Sequence, residues 1–161
     1  MTGQLASVRR AHLALMERTA NTLDLFLAPL SRETATTLRD GGDGWTITEV
    51  LCHLRDFDGY FRGRALMMIE QETPPLPAYD HEAIAIAERY NEQDLRVVVA
   101  DFLRSRGETY AFFSRLTDEQ WERAGIHPER GHFTMTDAVL QVGHHDTIHL
   151  EQIAKILHPR D

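Results

Sequence analysis

Four long stretches of the sequence carry apolar residues at the three- and four-residue spacing of an amphipathic helix. They cover residues 5–30, residues 47–71, residues 92–116 and a last segment that begins near Met135. Each is too long for an ordinary strand, and turn-forming segments such as RDGGDG and PPLP separate them. Four such helices can bury their apolar faces only against one another. The pattern therefore predicts an all-α four-helix bundle, with a long connector between the second and third helices.

Two of the helix starts carry local capping signals. In WTITEV, Thr46 can accept a free backbone N–H while Glu49, three residues on, reaches back to it. FTMTDA puts Thr134 and Asp137 in the same relation, although Asp is a shorter partner than Glu. We also expect a single helical turn at DEQW and a short helical piece at HEAIAIAERY in the connector. HPERGH, residues 127–132, is predicted as a loop, so almost no strand is expected.

The bulk composition excludes several classes of partner. The net charge of −8 argues against nucleic acid and anionic membranes, which are bound largely through Lys and Arg. The single cysteine, Cys52, permits no intrachain disulfide. No apolar run approaches the length of a membrane span, and the first residues lack the apolar core of a signal peptide. We therefore expect one domain over residues 1–161 in a cytoplasmic setting, acting on a small molecule.

Three histidines lie within six positions of the last helix, in GHHDTIHL. His145 and His149 are four residues apart, so they share one helix face and their imidazoles can reach one cation. His144 lies five residues before His149, about 500° of helix rotation, and points away from that pair. The spacing is compatible with a pair of metal ligands, with His144 outside it, but does not by itself distinguish such a pair from chance.

His53 is the candidate for a third ligand. It lies on the apolar stripe of the second helix and must face the bundle interior. Taken alone, a buried neutral histidine bound to a carbonyl or carboxylate is the simpler interpretation. Two helices that both direct histidine inward favour a metal site, because bundles build such sites between facing helices.

Other polar residues lie near these histidines in the sequence. Asp56, three residues after His53, could accept the second N–H of a metal-bound imidazole, or could instead pair with Arg55 or Arg62. Gln152, three residues after His149, could hold a water or ligand at the site.

Asp146 and Cys52 are weaker candidates. Asp146 creates an H-D-x-x-H pattern, in which Asp replaces the Glu of the zinc peptidase motif H-E-x-x-H and is one methylene shorter. Asp146 also lies about 100° around the helix from His145. We expect a solvated or histidine-orienting carboxylate rather than a general base. Cys52 is expected to be a small buried residue rather than a ligand.

Two motifs together resemble a known family. They are G-W-T-x-x-E-V-L-x-H-L over residues 44–54, and the segment 127–153 that ends in H-D-x-x-H-x-x-Q-I. Both are similar to signatures of the DinB/YfiT-like superfamily of metalloenzymes, in the order that the family has them. The resemblance implies a four-helix bundle that binds one divalent ion (Zn, Ni or Fe) through His53, His145 and His149. Relatives include bacillithiol transferases and mycothiol-dependent isomerases, which implies a low-molecular-weight thiol as a possible co-substrate.

Two classes of function remain open. A metal with free coordination positions can acidify water for hydrolysis or a thiol for S-transfer, which would make the protein a metal-dependent enzyme. The alternative is a non-catalytic metal- or ligand-binding stress-response bundle, for which a closed site is expected. The residue pattern does not choose between them.

The third helix also favours a homodimer, as the family resemblance implies. The apolar run over residues 97–100 is consecutive, so it wraps around the helix and cannot face one core. A second copy of the chain would cover the outer part of this ring. The alternative is that the connector at residues 78–90 covers it.

Overall fold

The computed structural model describes residues 3–159, and within them the chain is largely helical. The helices are α1 (Gly3–Leu27), α2 (Arg32–Thr37), α3 (Ile47–Glu70), α4 (His81–Ala87), α5 (Leu95–Ser114), α6 (Asp118–Trp121) and α7 (Met135–Leu157). A 3-10 turn covers Tyr90–Glu92, and two short strands, β1 (Ala124–His127) and β2 (Gly131–Thr134), lie between α6 and α7.

The four long helices α1, α3, α5 and α7 form a four-helix bundle, as the sequence predicted. α3 and α1 each pack against both α5 and α7. Each helix contributes a fully buried apolar side chain to one core cluster: Leu23, Leu51, Phe102 and Ile153. Burial of a side chain of this size contributes about 1.5–3 kcal/mol, so the packing of these faces stabilises the bundle. None of the helices within residues 3–159 is long and apolar enough to cross a membrane.

Both predicted capping boxes are present. At the start of α3, Thr46 Oγ1 accepts the Glu49 N–H at 3.2 Å, and the Glu49 carboxylate accepts the Thr46 N–H at 2.7 Å. Thr134 and Asp137 repeat the arrangement at α7, at 3.1 Å and 2.8 Å. The predicted starts at residues 47 and 135 are thus confirmed, which fixes the rotation of the two helices that carry the histidines.

The starts of α1 and α5 differ slightly from the prediction. The first helix starts at Gly3 and ends at Leu27, before Pro29, and a separate short helix follows. The third long helix starts at Leu95 rather than at residue 92, because the Asp94 carboxylate caps it by accepting the N–H groups of Arg96 and Val97.

The predicted loop at residues 127–132 contains the turn at residues 128–130, but the strands β1 and β2 on either side were not predicted, and they pair as an antiparallel hairpin. Its register pairs Ala124 with Thr134 and His127 with Gly131, and Gly131 takes a positive φ of 70° where the turn closes. The hairpin also binds the connector after α3, since the Leu76 N–H donates to the Ile126 carbonyl at 2.8 Å. Strands of four residues are too short to give a clear alternation in the sequence. The hairpin positions His127 beside Arg64 of α3, at the wall of the cavity that the bundle histidines also line.

Candidate metal centre

The structure brings together the three histidines that the sequence identified. His53 lies on α3, while His145 and His149 lie one turn apart on the facing side of α7. One ring nitrogen from each lies within 4.8 Å of the others. The Nε2 atoms of His53 and His145 are 2.8 Å apart. This cluster is the candidate metal centre.

All three imidazoles are electrically neutral at physiological pH. Burial, together with a smaller effect of the nearby histidines, His149 foremost, lowers the pKa of His53 to about 3 and that of His145 to about 2. Burial also lowers the pKa of His149. The neutral imidazole is the form that binds metal ions. The cluster is therefore ready to bind a cation without first losing protons.

The spacing of the nitrogens suits a transition-metal ion. Zinc bonds of 2.0–2.1 Å in tetrahedral geometry place two ligand nitrogens about 3.3 Å apart, a few tenths of an ångström more than the observed Nε2 separation. With both imidazoles neutral, two facing Nε2 atoms share at most one hydrogen. A cation between them would satisfy both lone pairs.

Gln152 lies near the site as the sequence indicated, but it contacts His149 directly and orients that ring. Its Oε1 lies 2.7 Å from His149 Nδ1, and its Nε2 donates to the Asp40 carboxylate at 2.9 Å. Because the amide oxygen can only accept, His149 carries its proton on Nδ1 and keeps the Nε2 lone pair free. A partner of this kind fixes the ring and raises its basicity as a ligand.

Of the two alternatives left open for Asp56, orientation of His53 is not the one observed. Its carboxylate instead accepts the hydroxyl of Tyr90 at 2.6 Å and the Arg55 Nε–H at 2.7 Å. The alternative ion pair is the one that forms, because Asp56 turns towards the 3-10 turn at Tyr90. Among the described residues His53 Nδ1 has no hydrogen-bond partner, and the ring instead packs against Phe57 at 4.0 Å between centroids.

Asp146 is not solvated, contrary to expectation. It is fully buried, and its carboxylate is bound by Arg106 and by the hydroxyl of Thr19. It points into the bundle rather than to the imidazoles, because its position on α7 faces α1 and α5. Cys52 is buried as expected, and burial raises the pKa of its thiol to about 12. His144 is exposed and lies outside the cluster.

The histidine cluster opens into a cavity of about 530 Å³. Aromatic and polar side chains share its walls, among them Trp45, Phe57, Phe61, Arg64, Tyr79, His81, Glu82, His127, Glu129 and Gln141. A space of this size fits a small organic molecule next to the three imidazoles.

The sequence did not identify three of these wall residues. His81 is the first residue of α4, and its ring centroid lies 5.9 Å from that of His53. His127 is buried on β1 and contacts Arg64. No local spacing relates either histidine to the cluster. Arg64 follows His53 by eleven residues, close to three helical turns, and that spacing could have indicated it.

Residues 15–153 match the family sequence model of the DinB superfamily. The chain belongs to the DinB superfamily. YfiT of Bacillus subtilis strain 168 is 27% identical over 126 residues, which are 74% of this chain and 68% of YfiT. Its solved structure, described as a probable metal-dependent hydrolase with an unusual four-helix bundle topology, matches with a TM-score of 0.83 at 22% identity over 92% of this chain and 85% of that one.

Two further relatives extend the comparison. OB0413 of Oceanobacillus iheyensis, whose name describes the same type of enzyme as YfiT, is 25% identical over 122 residues, 75% of this chain and 68% of its own. The mycothiol-dependent maleylpyruvate isomerase matches with a TM-score of 0.75 at 10% identity over 90% of this chain and 60% of that one. At this identity the structural match shows a shared bundle fold.

Proposed function

We propose that this member of the DinB superfamily is a metal-dependent hydrolase in which His53, His145 and His149 bind one divalent cation. The observation that carries the proposal is the convergence of three neutral imidazoles at the wall of an open cavity. The descriptions of YfiT and OB0413 as metal-dependent hydrolases support it.

The donor set fits a transition-metal ion. Imidazole nitrogens suit Zn, Ni and Fe, whereas Mg and Ca prefer oxygen ligands. Three protein ligands are also the usual number in a catalytic zinc site, while structural sites have four. A bound cation would supply Lewis-acid chemistry that lowers the pKa of water in the cavity.

The residues around the cluster have separate tasks. Gln152 holds the His149 ring through Nδ1 and is itself held by Asp40. Phe57 and Phe61 pack against His145, with ring centroids at 5.5 Å and 5.2 Å, and give that ring apolar neighbours. The rest of the cavity has room for a substrate.

Thiol transfer is the second candidate function. The bundle fold is shared with a mycothiol-dependent isomerase, which supports a low-molecular-weight thiol as co-substrate. The chain itself offers no thiolate, because Cys52 is buried and burial raises its pKa to about 12. A thiol would therefore have to enter the cavity from solution.

Metal content tests the first half of the proposal. Tag-free protein is loaded in turn with Zn²⁺, Ni²⁺ or Fe²⁺, dialysed, and analysed for its elements, and we expect one ion per chain. A His53→Ala/His145→Ala double variant should lose this ion. His144→Ala is the matched control and should keep it, because that exposed side chain lies outside the cluster. Stoichiometric metal in the double variant would exclude the ligand assignment.

An activity screen tests the second half. Metal-loaded protein is assayed with ester and amide substrates in water, and with bacillithiol, mycothiol or glutathione plus an electrophile, against a His149→Ala background. Turnover without thiol supports the hydrolase, and turnover only with a thiol replaces it by the transferase. If the metal-loaded protein turns over no substrate faster than His149→Ala in either assay, it is a non-catalytic metal-binding bundle, and the proposal is overturned.

A further inference from the structure

Arg64 is a buried cation in the wall of the cavity. It is 6% exposed, yet it forms no ion pair with any carboxylate in residues 3–159. This contrasts with Arg106, the buried arginine of the bundle core, which binds both Asp58 and Asp146. Glu129 acts on Arg64 electrostatically without bonding to it, and a buried charge that no opposite charge bonds is costly, so a ligand that supplies such a charge would be favoured.

Two of the five N–H donors of Arg64 remain available. Nε and Nη2 both donate to the Pro77 carbonyl, at 3.1 Å and 2.6 Å, and Nη1 contacts His127 Nε2 at 3.1 Å. One N–H on each terminal nitrogen meets no acceptor among the described residues. The guanidinium also lies 4.9 Å from the centroid of the Tyr79 ring. Two donors on one planar group match the two oxygens of a carboxylate.

Arg64 and the histidine cluster share one face of α3. Eleven residues separate His53 from Arg64, close to three full turns, so the two Cα atoms lie about 16 Å apart along the helix axis. Phe57 and Phe61 stand between them on the same face, and all four side chains line the cavity. The cavity thus has a metal-binding region, an aromatic middle and a cationic region.

We propose that Arg64 binds the carboxylate of an elongated monocarboxylic acid substrate whose reacting group lies beside His53, His145 and His149. The inference rests on the proposed function for the identity of the reacting end, and it adds the substrate class. The apolar or aromatic body of the acid lies against Phe57 and Phe61.

The charges around the cavity favour a carboxylate over a phosphate. Arg64 is the only arginine or lysine among the described residues that line it, whereas Asp40, Glu82 and Glu129 line it too. Burial and the neighbouring Arg64 lower the pKa of His127, which keeps that ring uncharged. With one guanidinium and three carboxylates the wall is net negative, so a ligand with a single negative charge is disfavoured less than a phosphate monoester, which brings nearly two.

Arg64 also binds the backbone, so Arg64→Gln could act by removing a structural contact. Arg123 is the matched control for that effect. Arg123 donates from Nε to the Met68 carbonyl at 2.8 Å and from Nη2 to the Gln71 carbonyl. It therefore ties backbone carbonyls at the end of α3, as Arg64 ties Pro77, but it does not line the cavity. Arg123→Gln removes a tether of this kind and leaves the proposed carboxylate site intact.

Binding to metal-free protein tests the proposal without any catalysis. The full chain is stripped with a chelator, and calorimetry measures the Kd for ω-phenylalkanoic acids of three to six carbons, their primary amides and phenyl phosphate. We expect the best acid to bind at least about tenfold tighter than its amide, as a charge-assisted hydrogen-bonded pair does. Arg64→Gln should abolish this ratio, Arg64→Lys should keep part of it, and Arg123→Gln should leave it unchanged.

Three results would overturn the proposal: an equal Kd for acid and amide in the wild-type protein, an unchanged ratio in Arg64→Gln, or tighter binding of phenyl phosphate than of any acid. The wild-type comparison needs no variant, so it decides even if Arg64→Gln does not fold. The metal test is independent, because the acid-to-amide ratio should survive His149→Ala. If the protein binds no metal but still prefers the acid to the amide, only the proposed function fails. If it binds metal but shows no preference for the acid, only the substrate class fails.

Discussion

Asp146 follows a histidine of the candidate metal centre directly in the sequence, yet its carboxylate is bound by Arg106 in the middle of the bundle. Arg106 Nη2 donates to Asp146 at 2.7 Å and to Asp58 at 3.0 Å, and the Thr19 hydroxyl donates to Asp146 at 2.6 Å. These residues come from α5, α7, α3 and α1. One guanidinium therefore links all four long helices, and it fixes α7 beside His145.

Asp146→Ala should destabilise the protein by about 3–5 kcal/mol, because Arg106 loses a buried partner. Chemical denaturation followed by circular dichroism measures this. Glu108→Ala, which removes the partly exposed pair between Glu108 and Arg62, should cost less than about 1 kcal/mol. Similar losses in the two variants would mean that the buried network contributes little.

Gln152→Ala should weaken metal binding about 10- to 100-fold, the usual effect of removing a partner that orients a ligand. The His149 ring would lose its acceptor at Nδ1. Competition with a coloured chelator gives the affinity. Glu151→Ala is the control, since Glu151 is exposed and pairs with Lys155. An affinity that drops equally in both variants would rule out a specific role for Gln152.

The metal-free protein should lose stability as the pH falls below about 6.5. Burial holds the pKa of His53 near 3 and that of His145 near 2, whereas in the unfolded chain a histidine titrates near 6.5. Between these values the unfolded state takes up protons that the folded state does not. The contribution is therefore fully present above pH 6.5 and is lost progressively towards pH 3.

Unfolding curves at half-unit pH steps test this window. His53→Leu should show a shallower loss of stability with falling pH than the wild-type protein. His132→Leu, at an exposed position of the hairpin, is the control and should follow the wild-type curve. Parallel curves for wild type and His53→Leu would contradict the expected linkage.

Thr46→Ala should cost more than an ordinary cap. Thr46 is fully buried, accepts the Glu49 N–H and donates its hydroxyl to Asn91 Oδ1 at 2.7 Å. Loss of the cap costs about 1 kcal/mol, and the unpaired Asn91 oxygen adds about another. Thr117→Ala, at the exposed cap of α6, should show only the first effect. Equal changes in the free energy of unfolding would refute the added contribution of Asn91.

The homodimer stays a prediction, and substitution of an exposed residue of α5 can test it. Val98 is buried in the core, but Val97 is 58% exposed, so the connector does not cover it. Light scattering should give twice the chain mass, and Val97→Asp should halve it. A wild-type monomer at high micromolar concentration would exclude pairing.

Local signals in the sequence predicted the helices and the histidine cluster. Thr46 and Thr134 mark the starts of α3 and α7 through contacts that span three residues, and His145 and His149 share a face by helix geometry alone. His53 could be added because its place on an apolar stripe already required it to face inward.

What the sequence missed depends on contacts between distant residues. Asp146 resembles a surface carboxylate until Arg106, forty residues away, is packed against it. The pairing of Asp56 with Tyr90 spans 34 residues, and that of Arg64 with His127 spans 63. Such partners are fixed by the packing of the whole bundle, so no local spacing reveals them.

The hairpin of β1 and β2 has a consequence for how relatives of this chain can diverge. The three histidines lie on helices that core packing holds, whereas His127, Pro128 and Glu129 reach the cavity from β1 and the adjoining hairpin turn. Insertions or substitutions at this turn can reshape the cavity without moving α3 or α7. The shape of the cavity can therefore change at one hairpin turn while the helices that carry the three histidines stay constant.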